Sequence, residues 1–75
     1  MPALKKRSFS IAGHRTSVAL EPEFWSVLED EARRDGIALA ALVARIDTAR
    51  EGGNLASALR VHVLKAALDS KTPPP

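Results

Sequence analysis

Between Phe9 and Leu20 the apolar side chains change parity, and this restricts the fold more than any other feature of the chain. Phe9 and Ile11 fall on odd positions, whereas Thr16, Val18 and Leu20 are β-branched or apolar at even ones. Side chains alternate faces along a strand, so one regular strand cannot turn all five towards the same core. Something resets the register at Ala12-Gly13, and a glycine inside a strand pattern reads as a bulge, a bend or a turn. The residues alone leave these three open. After Leu20 the period becomes helical. Pro22 suits a first helical position, where its missing N–H would be unpaired anyway, and Glu21 and Glu23 suit the positive helix end.

The spacing predicts three helices. The first runs from Pro22 to a glycine stop at Gly36, with Phe24, Val27, Leu28, Glu31 and Ala32 on one face and Glu29, Asp30, Arg33 and Arg34 towards water. The second covers residues 39–50, with Leu39, Leu42, Val43, Ile46 and Ala49 as its buried stripe and Gly52 or Gly53 as its stop. The third, over residues 55–69, is capped by Asn54 and carries two apolar stripes. Leu55, Leu59, Val63 and Ala66 form one, Val61, Leu64 and Leu68 the other. A helix apolar nearly all round is buried on more than one side, and two short helices cannot surround it, so a second subunit is the expected cover. Residues 70–75, the stretch "SKTPPP", read as a disordered tail.

At 75 residues the chain is one domain of a size at which a lone core is marginal and a second copy commonly completes it. It has no cysteine, so neither a disulfide nor a thiolate metal site stabilises it. No apolar run approaches the length of a membrane span and no secretory signal stands at the N-terminus, so the expectation is a soluble, cytoplasmic protein without a membrane partner. The net charge of +2 conceals an asymmetry. Residues 1–20 carry Lys5, Lys6, Arg7 and Arg15 with no acid, while the remainder holds 7 basic against 9 acidic residues. A basic N-terminal arm over residues 1–7 attracts phosphates or an anionic surface.

A single strand leaves both its edges unpaired, so a partner strand is required. The simplest source is the same strand of a second copy, antiparallel across a two-fold axis. Such a two-stranded ribbon fits the major groove of duplex DNA, where its outward side chains meet base edges.

With the motifs "GHRTSV", "LEPEFW" and "NLASALR" at Gly13–Val18, Leu20–Trp25 and Asn54–Arg60, the chain resembles the ribbon-helix-helix DNA-binding family, which includes the Arc and methionine repressors, in a small bacterial branch. The resemblance spans roughly residues 7–68. It implies a mainly α fold with a short β-ribbon, an intertwined homodimer, an extra C-terminal helix in a domain over residues 8–69, and regulation of transcription. It places Arg15, Ser17 and Ala19 towards the groove as base contacts, and turns Thr16, Val18 and Leu20 to the helices. Arg15 can donate a bidentate pair to guanine and Ser17 can bond either base type, whereas Ala19 offers a thymine methyl only an apolar contact. The backbone N–H groups of Ala38 and Leu39, at the start of the second helix, are implied phosphate anchors, although the Ser or Thr cap usual in the family is replaced by alanine. Lys5, Lys6, Arg7 and His14 are the remaining phosphate contacts, and Phe24, Trp25, Leu28, Leu42, Ile46, Leu59 and Val63 the core or dimer seam.

His14 and His62 lack the neighbours a metal site needs, and no cofactor is expected. Trp25 sits in the first turn of the first helix, a packing position. The run Glu29-Asp30-Glu31 points in different directions on a helix and reads as a solvated face. No nucleophile with its base and no phosphate-cradling loop is present, so an enzyme is not expected. The alternative is a dimeric protein-interaction adaptor or antitoxin-like module whose ribbon is purely structural.

Overall fold

The computed structural model describes residues 3–50 and 52–71, in the order β1 (Lys5–Ile11), β2 (His14–Leu20), α1 (Pro22–Asp35), α2 (Leu39–Ala49) and α3 (Leu55–Lys71). The parity change resolves as a hairpin. β1 and β2 pair antiparallel across Ala12-Gly13, with Ile11 opposite His14, Phe9 opposite Thr16 and Arg7 opposite Val18. Each odd residue of β1 thus faces an even residue of β2, so Phe9, Ile11, Val18 and Leu20 share one side and all four are buried. The turn residues have φ of 52° at Ala12 and 80° at Gly13. Positive φ at both central positions is what a two-residue type I′ turn requires, and its twist matches that of the strands it joins.

The hairpin gives β2 a partner strand within its own chain, where a two-residue connection makes pairing entropically cheap. It corrects one expectation. Lys5, Lys6 and Arg7 belong to β1 instead of forming a free arm before the domain. Ala12 is where the turn departs from its preferred chemistry, because an L side chain in the left-handed region is strained where Asn is tolerated. Ala12→Asn is therefore expected to stabilise the domain by about 1 kcal/mol, raising the thermal midpoint by about 4–8 °C in a circular-dichroism melt.

α1 ends as its sequence indicates. Gly36 takes φ 68°, and the N–H groups of Gly36 and Ile37 donate to the carbonyls of Arg33 and Ala32 at 3.1 and 2.9 Å, the reverse bonds of a Schellman stop. α2 ends differently from expectation. Its last cap, Arg50, is extended, and the side chain of Arg50 bonds Asp47 at 2.6 Å and the carbonyl of Gly53, so Gly52 and Gly53 shape the connection rather than the stop. At α3 the side chain of Asn54 accepts from the N–H of Ser57 at 2.7 Å, the expected cap. α3 continues to Lys71; the rest of the expected tail, residues 72–75, lies outside the described residues.

The inner face of the hairpin lies over the three helices, with β1 against α2 and β2 against α3. Leu20, Leu28, Leu42, Val43 and Leu59 are fully buried and Trp25 nearly so, which means that the core closes within one chain. α3 is covered on one side only. Leu55, Leu59 and Val63 enter the core, whereas Val61, Leu64 and Leu68 remain 45%, 56% and 56% exposed.

Candidate nucleic-acid interface

The register that buries one face of the hairpin determines the other. Lys6, Ser8 and Ser10 of β1 and Arg15, Ser17 and Ala19 of β2 point away from the helices, in cross-strand rows Lys6–Ala19, Ser8–Ser17 and Ser10–Arg15. Five of the six are exposed and Ala19 is half-buried. The Oγ atoms of Ser8 and Ser17 lie 2.9 Å apart in the middle row. No carboxylate stands on this face, which combines two cations at diagonally opposite corners with three hydroxyls. Such a surface can donate to guanine or phosphate oxygens through Arg15 and Lys6 and can donate or accept through the serines.

Trp25, in the first turn of α1, holds the hairpin from beneath. Its Nε1 donates to the carbonyl of Lys5 at 2.7 Å, its ring lies 5.8 Å from that of Phe9, and the Arg7 guanidinium sits 5.2 Å from its centroid. Arg7 also meets Glu29 at 3.4 Å. Strand alternation thus splits the basic run. Lys6 faces outward while Arg7 is turned inward and engaged, and Lys5, on the inner side at the strand's start, is exposed. His14 is exposed beside the turn, on the inner side. Ala38 caps α2 with extended backbone and no side-chain hydrogen bond, leaving the first N–H groups of that helix without intrahelical partners; Leu39 behind it is half-buried.

Thr16, Val18 and Leu20 all face inward, Thr16 half-buried and the other two buried. Phe24 is half-buried, and Trp25, Leu28, Leu42, Ile46, Leu59 and Val63 lie in the core of the single chain.

Two pairs of side chains were not apparent from the sequence. Arg60 donates from Nε and Nη2 to Oε1 of Glu21 at 3.1 and 3.0 Å while its guanidinium lies 5.8 Å from the Phe24 ring. This links α3 to the junction between the candidate reading strand and α1. A hydrogen bond from the backbone of Glu21 itself, and then the bonds from Arg60, hold the Glu21 carboxyl below its ordinary value. Glu31, expected in a solvated acidic face, instead meets Nε2 of His62 at 2.8 Å, joining α1 to α3. Glu21 and Arg60 fall in two of the quoted motifs, so their presence was visible although their contact was not.

Among the described residues no cluster of three or more potential metal ligands occurs, and no helix is long and apolar enough to cross a membrane. A ribbon-helix-helix domain model matches residues 4–67. The solved structure of an uncharacterized protein from Bordetella pertussis Tohama I is similar at a TM-score of 0.77 and 38% identity, over 88% of this chain and 57% of that one. The chain therefore spans a little over half the length of that structural relative. No curated protein matches.

Proposed function

Because the chain belongs to the ribbon-helix-helix family, whose members are commonly DNA-binding transcription regulators or antitoxins, we propose that it binds duplex DNA as a homodimer and regulates transcription, with the outer face of the hairpin as its reading head. The observation that carries this reading is the acid-free outer face bearing Lys6, Ser8, Ser10, Arg15, Ser17 and Ala19. Arg15 and Ser17 read base edges, and Ala19 contributes at most an apolar contact. Lys5, Lys6 and His14, with the α2 N–H groups at Ala38 and Leu39, hold phosphates. Arg7, committed to Glu29 and Trp25, is left out of that set. The protein acts without a cofactor, in the cytoplasm.

Selection of bound sequences from random duplex DNA tests the proposal directly. An enriched palindrome or tandem repeat is expected, and retention of DNA without any sequence preference would remove the reading head. Lys6→Ala should weaken binding to any duplex and lower the slope of log affinity against log salt by about 0.9 per lost phosphate contact. Arg7→Ala should leave that slope unchanged. A slope altered by Arg7→Ala and not by Lys6→Ala would reverse the assignment.

A second reading, a protein-interaction module, is favoured by one feature. Phe24, Arg60, Val61, Val63, Leu64 and Ala67 line an apolar dimple of about 340 Å³ beside the exposed stripe of α3. Loss of a partner on Leu64→Ser with DNA binding intact would identify that surface as the functional one.

A further inference from the structure

Among the described residues a single guanidinium is the one charged group on the wall of an otherwise apolar cavity. The dimple beside α3 is walled by Phe24 of α1 and by Arg60, Val61, Val63, Leu64 and Ala67 of α3, with a volume of about 340 Å³. Residues three, four and seven positions apart share a helix face, so Arg60, Val63, Leu64 and Ala67 line it in one row. The volume is at the lower end of the roughly 300–1,000 Å³ typical of small-molecule sites. Apolar walls with one placed polar group are also the usual make-up of such sites.

Arg60 is only weakly engaged. Its Nε and Nη2 both donate to the same oxygen of Glu21, at 3.1 and 3.0 Å, and Nη1 donates no hydrogen bond among the described residues. The two side chains are 37% and 35% exposed, and an ion pair so open to water contributes little. The guanidinium lies 5.8 Å from the centre of the Phe24 ring, which is part of the cavity wall. A neutral occupant gains nothing from this cation, whereas an anionic one can take it by a two-oxygen fork that Glu21 does not make. We infer that the dimple is a site for a small amphipathic acid, an apolar chain ending in one carboxylate, whose head takes Arg60 from Glu21 while its chain covers Phe24, Val61 and Leu64.

The exchange of partners reaches the hairpin. Glu21 joins β2 to α1, and its backbone carbonyl accepts from the N–H groups of Phe24 and Trp25 at 3.0 and 3.3 Å. Its carboxyl, held below its ordinary value by its own backbone and then by Arg60, is an anion at neutral pH. With Arg60 engaged by the acid, that charge stands uncompensated two residues from Ala19, at the end of a face that otherwise has no carboxylate. The acid therefore opposes phosphate binding by the hairpin, and duplex DNA opposes binding of the acid by the same factor. This opposition presupposes the DNA binding proposed above, whereas the acid site does not.

Octanoate, 1-octanol and octylamine share a chain and differ in charge, so titrating each into the isotope-labelled full chain, followed by NMR, tests the site. Octanoate should shift the amides of Phe24, Val61, Leu64 and Ala67 saturably and bind about tenfold more tightly than octanol, with octylamine weakest. Arg60→Gln should erase the preference for the acid. Glu21→Gln, which removes the competing carboxylate, should tighten octanoate about threefold and leave octanol unchanged. A guanidinium that serves only to pack on Phe24 and fasten Glu21 predicts neither result. Equal affinity of the unmodified chain for acid and alcohol, shifts centred on Lys6 and Arg15 instead, a dimple closed to every probe by a second copy, or octanoate binding not tightened in folded Glu21→Gln would each overturn the site. Saturating octanoate should then weaken duplex DNA binding by the unmodified chain and not by Arg60→Gln. Unchanged DNA affinity overturns the coupling, while a chain that binds octanoate as stated and no DNA keeps the acid site and loses the DNA-binding reading.

Discussion

Replacing Trp25 with alanine is expected to cost about 3–5 kcal/mol, the range for deleting a large buried aromatic, and so to consume most of the stability of a domain this small. The magnitude follows from what the side chain joins. Trp25 is 1% exposed, packs on Phe9, lies beneath the Arg7 guanidinium and bonds the Lys5 carbonyl, so it ties β1 to α1 at three places. Trp25→Phe keeps a ring in the core and loses the N–H donor, and should cost substantially less. Urea unfolding followed by circular dichroism at 222 nm checks both. If Trp25→Ala lowers stability by under 1 kcal/mol, the indole does not anchor the hairpin.

Arg15→Ala should have the second large effect, on recognition instead of folding. Arg15 is exposed on the outer face and has no ion pair among the described contacts, so its removal leaves the core untouched. In the proposed complex its rigid donor fork matches guanine O6 and N7, which Ser17 and Ala19 cannot do. Its loss should cost about 1–3 kcal/mol per half-site on the preferred sequence and much less on scrambled DNA. Titration of both duplexes at one fixed salt concentration measures the difference. An unchanged ratio of specific to scrambled affinity would move the reading head off the hairpin and strengthen the interaction-module alternative.

Alternation and helical period are local properties, and the elements they govern were legible. The outward set Arg15, Ser17 and Ala19, the glycine stop at Gly36 and the Asn54 cap all follow from short stretches and occur in the structure. The hairpin itself could not be read from the sequence, for a local reason too. Ala-Gly is not among the strong type I′ signals, which have Asn or Asp ahead of the glycine, so a turn could not be told from a bulge. Once β1 is a strand, alternation separates Lys6 from Arg7, although as a sequence "KKR" reads as one cluster. The Glu21–Arg60 and Glu31–His62 pairs join residues 39 and 31 apart, and no periodicity within a helix reports which face of a distant helix it will meet. The exposed stripe of α3 was visible as a second apolar face; that its other side would be satisfied by its own chain depended on the hairpin closing the core.

The hairpin also alters how such a molecule comes into being. A ribbon assembled from two chains can form only at a rate set by their encounter, and until then each chain exposes an unpaired strand and an open core. Here Ala12-Gly13 brings β1 to β2 within one chain, an event of roughly microseconds for a short hairpin and first order in protein. The contacts that complete the sheet are among the closest in sequence, which favours rapid folding. A newly made copy can thus bury its core while still dilute.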